Sequence, residues 1–117
     1  GTLVSDDNGV TWRQISRDGP EYVFAPQFVV LADDTLVLTA GGSGGQAVFF
    51  STDGGAHWSQ PIKVDPTAYG YGRLTLLKDE SILMPYVQHH GAPQRCYMVR
   101  FKVNPARDGI ELLPLGK

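Results

Sequence analysis

The residues best able to do chemistry lie in the segment from 69 to 95, in two small groups. Tyr71 and Arg73 stand two positions apart just ahead of an apolar run, and His89 and His90 follow the next run. A free phenol has a pKa near 10, so a tyrosine attacks a carbon at neutral pH only where a carboxylate takes its proton. Arginine binds a carboxylate through a planar pair of N–H donors. The histidines could act as an acid/base pair or as metal ligands, although adjacent loop residues seldom hold one ion together.

A second set of carboxylates belongs to a motif, Ser-x-Asp-x-Gly-x-x-Trp, that occurs twice. The two copies are Ser5, Asp7, Gly9, Trp12 and Ser51, Asp53, Gly55, Trp58. With ordinary residue frequencies, one such match arises by chance in roughly one chain per few thousand of this length. Two copies in 117 residues therefore indicate a repeated structure.

Two explanations of the motif have to be compared. Its aspartate and serine can accept backbone N–H groups inside a tight hairpin turn, its glycine supplies a backbone conformation that other residues resist, and its tryptophan can fill the space between neighbouring sheets. A calcium loop is the other explanation, but each copy has too few carboxylates for a dedicated site. We therefore predict that both copies are structural turns, with no metal and no cofactor.

The elements that position these residues are short strands with a period of 46. A shift by 46 places Gln27–Leu31 on Arg73–Leu77, Thr35–Ala40 on Ser81–Tyr86 and Ser5 on Ser51. Four short strands in 40 to 50 residues are typical of a β-propeller blade. We predict an all-β fold of antiparallel four-stranded blades: a half blade over 1–18, a full blade over 26–64 and a full blade without the motif over 72–115. No segment favours a helix, and Cys96, in the strand-like run RCYMVRF, is expected to be a buried thiol.

Because successive strands run in opposite directions, the motif turns and the first-to-second strand turns of each blade share one end. The other connections, which are rich in aromatic and planar polar groups, belong to the opposite end. Such groups suit sugar or carboxylate recognition. The candidate ligand-binding residues there are Tyr22, Gln27, Tyr69, Arg73, His89, His90 and Arg95.

Both motif copies resemble the Asp box, or bacterial neuraminidase repeat, of the sialidase (neuraminidase) superfamily. The family fold is a six-bladed propeller, which at 46 residues a blade needs about 276 residues, so the chain resembles a C-terminal piece of one. The segment YGRLTLLKDESILMPYV also resembles the sequence around the sialidase nucleophile, with Tyr71, Leu74, Thr75, Asp79 and Tyr86 in register. The departures are Gly72 for serine, Glu80 for glycine and the lack of a glutamate after Tyr86.

The resemblance implies a glycosidase that acts on terminal sialic-acid-type sugars. Tyr71 would be the nucleophile, activated by a glutamate, with an aspartate as acid/base and three arginines on the substrate carboxylate; this family departs from the usual pair of carboxylates. No aspartate here matches the family's acid, Asp65 being the nearest, so that residue and most of the arginines are expected upstream and the isolated chain is expected to be inactive. The alternative is a non-catalytic propeller module that binds a glycan or a protein. The missing glutamate favours the alternative, and the register of Tyr71 favours the hydrolase.

Composition excludes two classes of partner. With 10 basic and 12 acidic residues, a net charge of −2 and no basic run, nothing indicates nucleic acid. No apolar run approaches 18 residues, so no membrane span is expected. The expected ligand is a carbohydrate, and a homo-oligomer could complete the ring. The compartment stays open.

Overall fold

The computed structural model describes residues 1–17, 24–42, 45–66, 72–87 and 95–116. These residues form ten strands and no helix, in agreement with the predicted all-β class. The strands are β1 (Thr2–Val4), β2 (Arg13–Ser16), β3 (Phe24–Val30), β4 (Leu36–Gly42), β5 (Gly45–Ser51), β6 (Ile62–Asp65), β7 (Thr75–Leu76), β8 (Ile82–Val87), β9 (Cys96–Val103) and β10 (Ile110–Leu113).

The strands form three antiparallel sheets in chain order. Sheet I contains β1 and β2, sheet II contains β3 to β6, and sheet III contains β7 to β10. In sheets II and III each strand pairs with the next one along the chain, and neither sheet closes on itself. The repeated motif links β1 to β2 in sheet I and β5 to β6 in sheet II.

The main core lies between sheets II and III. All seven residues of β5 are buried, which accounts for a continuous apolar run rather than a strict alternation. In β8 burial alternates, because every second side chain points to sheet II. The buried core residues of this interface are Leu31, Val37, Val48, Phe50, Ile82, Met84, Tyr86, Phe101 and Val103. A fully buried side chain such as Phe101 contributes about 2 kcal/mol.

The opposite face of sheet II contacts sheet I through the second motif. Trp58 packs against the cluster of Ala40, Ala47 and Phe49. Its indole N–H donates a hydrogen bond of 2.9 Å to the hydroxyl of Thr2 in β1. Sheet I therefore covers this face of sheet II in part, and Phe28 and Val30 of β3 remain exposed on it.

The end of the fold that carries the motif turns also has polar contacts between sheets II and III. The Arg107 guanidinium lies 2.9 Å from the Asp33 carboxylate, and the backbone N–H of Ala32 donates to the Glu80 carboxylate at 2.8 Å. Arg107 belongs to the β9–β10 turn, where a third motif copy would stand. There the side-chain oxygen of Asn104 accepts the backbone N–H groups of Asp108 and Gly109 at 3.0 Å and 3.1 Å, so a different side chain closes the turn.

Two side-chain predictions differ from the structure. Trp12 was expected to fill the space between sheets, but it is 61% exposed, because no sheet among the described residues covers that face of sheet I. Cys96 was expected to be buried and is exposed. It pairs with Val87 at the start of β9 and alternates with the covered positions, so it lies on the outward face of sheet III together with Met98.

Candidate functional site

The motif turns are closed by their own side chains. In the first copy the Ser5 hydroxyl accepts the N–H of Gly9 at 2.7 Å, and the Asp7 carboxylate accepts the N–H of Thr11 at 2.8 Å. In the second copy Ser51 and Asp53 make the equivalent contacts with Gly55 and His57, at 2.8 Å and 2.9 Å. The two glycines have φ angles of 88° and 90°, in the left-handed region that favours glycine. Both turns are therefore complete without a ligand.

The electrostatics of the turns agree with a structural role. Hydrogen bonds from the Thr11 hydroxyl and backbone lower the pKa of Asp7 to about 2. Hydrogen bonds from the backbone and ring of His57 lower the pKa of Asp53 to about 2. Both carboxylates are ionised at neutral pH and already occupied by donors. Among the described residues, no group of three or more His, Cys, Asp or Glu side chains is arranged to hold a metal ion.

At the opposite end, a phenol and a carboxylate join sheets II and III. The Tyr86 hydroxyl in β8 donates to the carboxylate of Asp65, the last residue of β6, at 2.9 Å. The Tyr86 ring stacks on Tyr97, with centroids 5.4 Å apart. Burial and the neighbouring carboxylate raise the pKa of Tyr86 above its usual value. Tyr86 therefore keeps its proton and acts as a hydrogen-bond donor rather than as a nucleophile.

Beside this pair lies a buried amide. The side chain of Gln46 is fully buried, and its N–H donates to the Thr39 hydroxyl at 2.8 Å. Its side-chain oxygen has no hydrogen-bond partner among the described residues. Gly72 lies so close that a Cβ there would come within 2.5 Å of the Gln46 amide nitrogen. A side chain at position 72 would therefore meet Gln46, which accounts for the glycine there.

The structure places three of the predicted ligand-binding residues. Arg73 is exposed, and its backbone N–H donates to the Pro85 carbonyl at 3.1 Å, beside β8. Arg95 is exposed and immediately precedes β9, and Gln27 is half-buried opposite Thr39 in the β3–β4 ladder. The predicted nucleophile and the other ligand-binding candidates, Tyr22, Tyr69, Tyr71, His89 and His90, lie outside the described residues.

The backbone nevertheless brings the segment after Tyr71 next to the phenol–carboxylate pair. Gly72 forms an antiparallel bridge with Tyr86, and Arg73 follows alongside Pro85. The sequence analysis considered Asp65 only as the aspartate nearest to the expected acid/base position. It considered Tyr86 only as a position that matches the sequence around the sialidase nucleophile. Their contact joins residues 21 positions apart in different sheets, and no spacing rule gives such a pairing.

No family model, curated protein or solved structure matches the chain. Within the described residues, no helix is long and apolar enough to cross a membrane.

Proposed function

We propose that the chain is part of a six-bladed, sialidase-like β-propeller whose end opposite the motif turns binds a carboxylate-bearing sugar. The position of Trp58 carries the proposal. This motif residue packs on sheet II and donates a hydrogen bond to Thr2 of sheet I, which is the contact expected of a plug between neighbouring blades. The succession of a two-stranded and two four-stranded sheets in chain order supports the same assignment.

The ligand class follows from the residues at the opposite end. Arg73 and Arg95 are exposed there, and guanidinium groups bind carboxylates with two parallel hydrogen bonds. Tyr22, Tyr69, Tyr71, His89 and His90 complete the proposed set on the basis of sequence. A sialic-acid-type sugar offers a carboxylate for the arginines and a ring for the aromatic side chains.

Binding of sialyllactose to the full-length protein, measured by calorimetry, tests this proposal. Arg73→Ala is expected to weaken binding at least tenfold, which corresponds to about 1.4 kcal/mol. Arg13→Ala is the matched control, because Arg13 lies in sheet I and pairs with Asp6 beside the first motif turn. Absence of binding, or equal effects of the two substitutions, would contradict the proposed site.

The proposal extends to hydrolysis of the bound sugar, with Tyr71 as the nucleophile. The bridge between Gly72 and Tyr86 supports hydrolysis. Gly72 follows Tyr71 in the chain, and Tyr86 binds the Asp65 carboxylate, so the bridge brings the segment after Tyr71 close to a carboxylate. Tyr71→Phe should keep sugar binding and abolish turnover of an aryl sialoside, since the nucleophilic oxygen is gone. Unchanged hydrolysis in this variant would remove Tyr71 as nucleophile.

The alternative is a non-catalytic module of the same fold that binds a glycan or a protein. One observation favours it: no glutamate follows Tyr86 in β8. Sugar binding by the wild-type protein without any turnover would decide for this alternative.

A further inference from the structure

One buried polar atom between sheets II and III has no hydrogen-bond partner among the described residues. Of the buried side-chain nitrogen and oxygen atoms in that part of the chain, only the side-chain oxygen of Gln46 lacks a partner. The Gln46 side chain is fully buried. A buried oxygen without a donor loses its hydration and gains nothing in return, so nearly all such atoms in folded proteins have a partner. The Gln46 oxygen therefore indicates a donor beside it.

The need for a partner does not depend on how the Gln46 amide is oriented. Its N–H donates to the Thr39 hydroxyl at 2.8 Å, and that hydroxyl donates its single proton to the Ala47 carbonyl at 3.2 Å. Only one polar atom of the amide contacts Thr39. Exchanging the amide oxygen and nitrogen would therefore leave the nitrogen without a partner instead of the oxygen. A molecule that both donates and accepts hydrogen bonds fits either orientation.

Further oxygen atoms lie on the same side of sheet II. Gln46 and Asp65 are directly opposite each other in the β5–β6 ladder, and side chains of opposed residues lie on one face of a sheet. Both face sheet III, since the Gln46 amide contacts Gly72 and the Asp65 carboxylate accepts the Tyr86 hydroxyl at 2.9 Å. A phenol oxygen can accept a hydrogen bond while it donates one. This part of the interface is therefore rich in acceptors.

The packing around the amide limits the donor to a small neutral molecule. An added Cβ on Gly72 would lie 2.5 Å from the Gln46 amide nitrogen and 3.2 Å from its side-chain carbonyl carbon, so Gly72 packs directly on the amide. A sugar ring does not fit against a fully buried side chain packed in this way. A calcium or magnesium ion would need about six oxygen ligands. The described residues contain no group of three or more His, Cys, Asp or Glu arranged to supply them.

We propose that the Gln46 side-chain oxygen binds one buried water molecule, which links β5 to the pair of Tyr86 and Asp65. A water molecule has two protons, so it donates to Gln46 and also to the phenol oxygen or the carboxylate. Buried waters typically make about three hydrogen bonds to polar groups that would otherwise lack partners. The site requires only the packing of sheets II and III and is independent of the proposed function.

Oxygen-17 magnetic relaxation dispersion of the full-length protein tests the site, because it counts the water molecules that stay bound while the protein tumbles. Gln46→Met keeps the length of the side chain and removes both polar atoms. This variant should hold one long-lived water fewer than the wild type. Thr39→Val is the matched control, because it removes the partner of the amide nitrogen and keeps the amide oxygen. The control should hold the same number of long-lived waters as the wild type.

A high-resolution crystal structure of the wild-type protein provides the second measurement. One water oxygen is expected within about 3.0 Å of the Gln46 side-chain oxygen. A protein side chain or a cation bound to that oxygen would overturn the proposal, and so would equal numbers of long-lived waters in the wild type and Gln46→Met. If Gln46→Met does not fold, the crystal structure of the wild type decides alone. Sialyllactose binding is a separate measurement, and its outcome leaves this site unaffected.

Discussion

The two motif tryptophans have the same sequence context and different surroundings. Trp58 is half-buried between sheets, and Trp12 is 61% exposed. We predict that Trp58→Ala lowers the free energy of unfolding by about 2–3 kcal/mol, less than the cost for a fully buried tryptophan. Trp12→Ala should cost about 0.5 kcal/mol or less, as for other surface substitutions. Urea unfolding of both variants measures the two costs, and equal costs would contradict the packing described.

Low pH should decrease the free energy of unfolding, because aspartates that stabilise the turns become protonated. The pKa values of Asp7, Asp53 and Asp79 are lowered from 3.8 to about 2, mainly by hydrogen bonds from Thr11, His57 and Ser81 respectively. The folded state therefore holds these protons less tightly than the unfolded state. The stabilisation is present above pH 4 and is lost as the pH falls towards 2. Asp53→Asn should flatten this part of the pH–stability curve, and a curve identical to that of the wild type would show that the turn contributes nothing.

Between strands, the contact of Gly72 with Gln46 fixes how β7 approaches sheet II. Gly72→Ala would place a Cβ within 2.5 Å of a fully buried amide, so we expect a loss of about 1–3 kcal/mol. Gln46→Ala in the same chain should recover part of that loss, because the smaller side chain leaves room. Thermal unfolding of both single variants and the double variant gives the coupling. Strictly additive effects would mean that the two residues do not meet.

The bond between Tyr86 and Asp65 joins β8 to β6. Tyr86→Phe removes a hydrogen bond to a carboxylate and should cost about 1.5–3 kcal/mol. Because the pKa of Tyr86 is raised in the folded state, its contribution is present below pH 10 and is lost as the pH rises above it. The variant should therefore lose less stability than the wild type between pH 9 and 11 in denaturant titrations. An equal alkaline loss in both proteins would contradict the contact.

The strands were predictable from sequence, and the faces they present were not. Apolar runs predicted strands in all three sheets, because burial on both sides leaves a continuous signal in segments such as β5. The period of 46 did not hold throughout, since β9 ends at Val103, six residues beyond the end of β5 shifted by 46. The same signal cannot tell which face has a neighbour, so Trp12 and Cys96 were wrongly expected to be buried. The bond between Asp65 and Tyr86 depends on how two sheets stack, which no local pattern records.

The two ends of the molecule differ in how their polar side chains are used. One end holds the motif turns, whose carboxylates are satisfied internally, together with the contacts of Arg107 and Glu80 between sheets. The other end holds exposed Arg73 and Arg95 beside the bond between Tyr86 and Asp65. The proposed function requires that a bound ligand contacts residues of the second end only.

Backbone amide NMR of the protein titrated with sialyllactose tests this most directly. The account predicts saturable shifts for Gln27, Arg73 and Arg95, and none for Gly9 and Gly55 in the motif turns. Shifts centred on Gly9 and Gly55, or no shifts at all in the full-length protein, would contradict it.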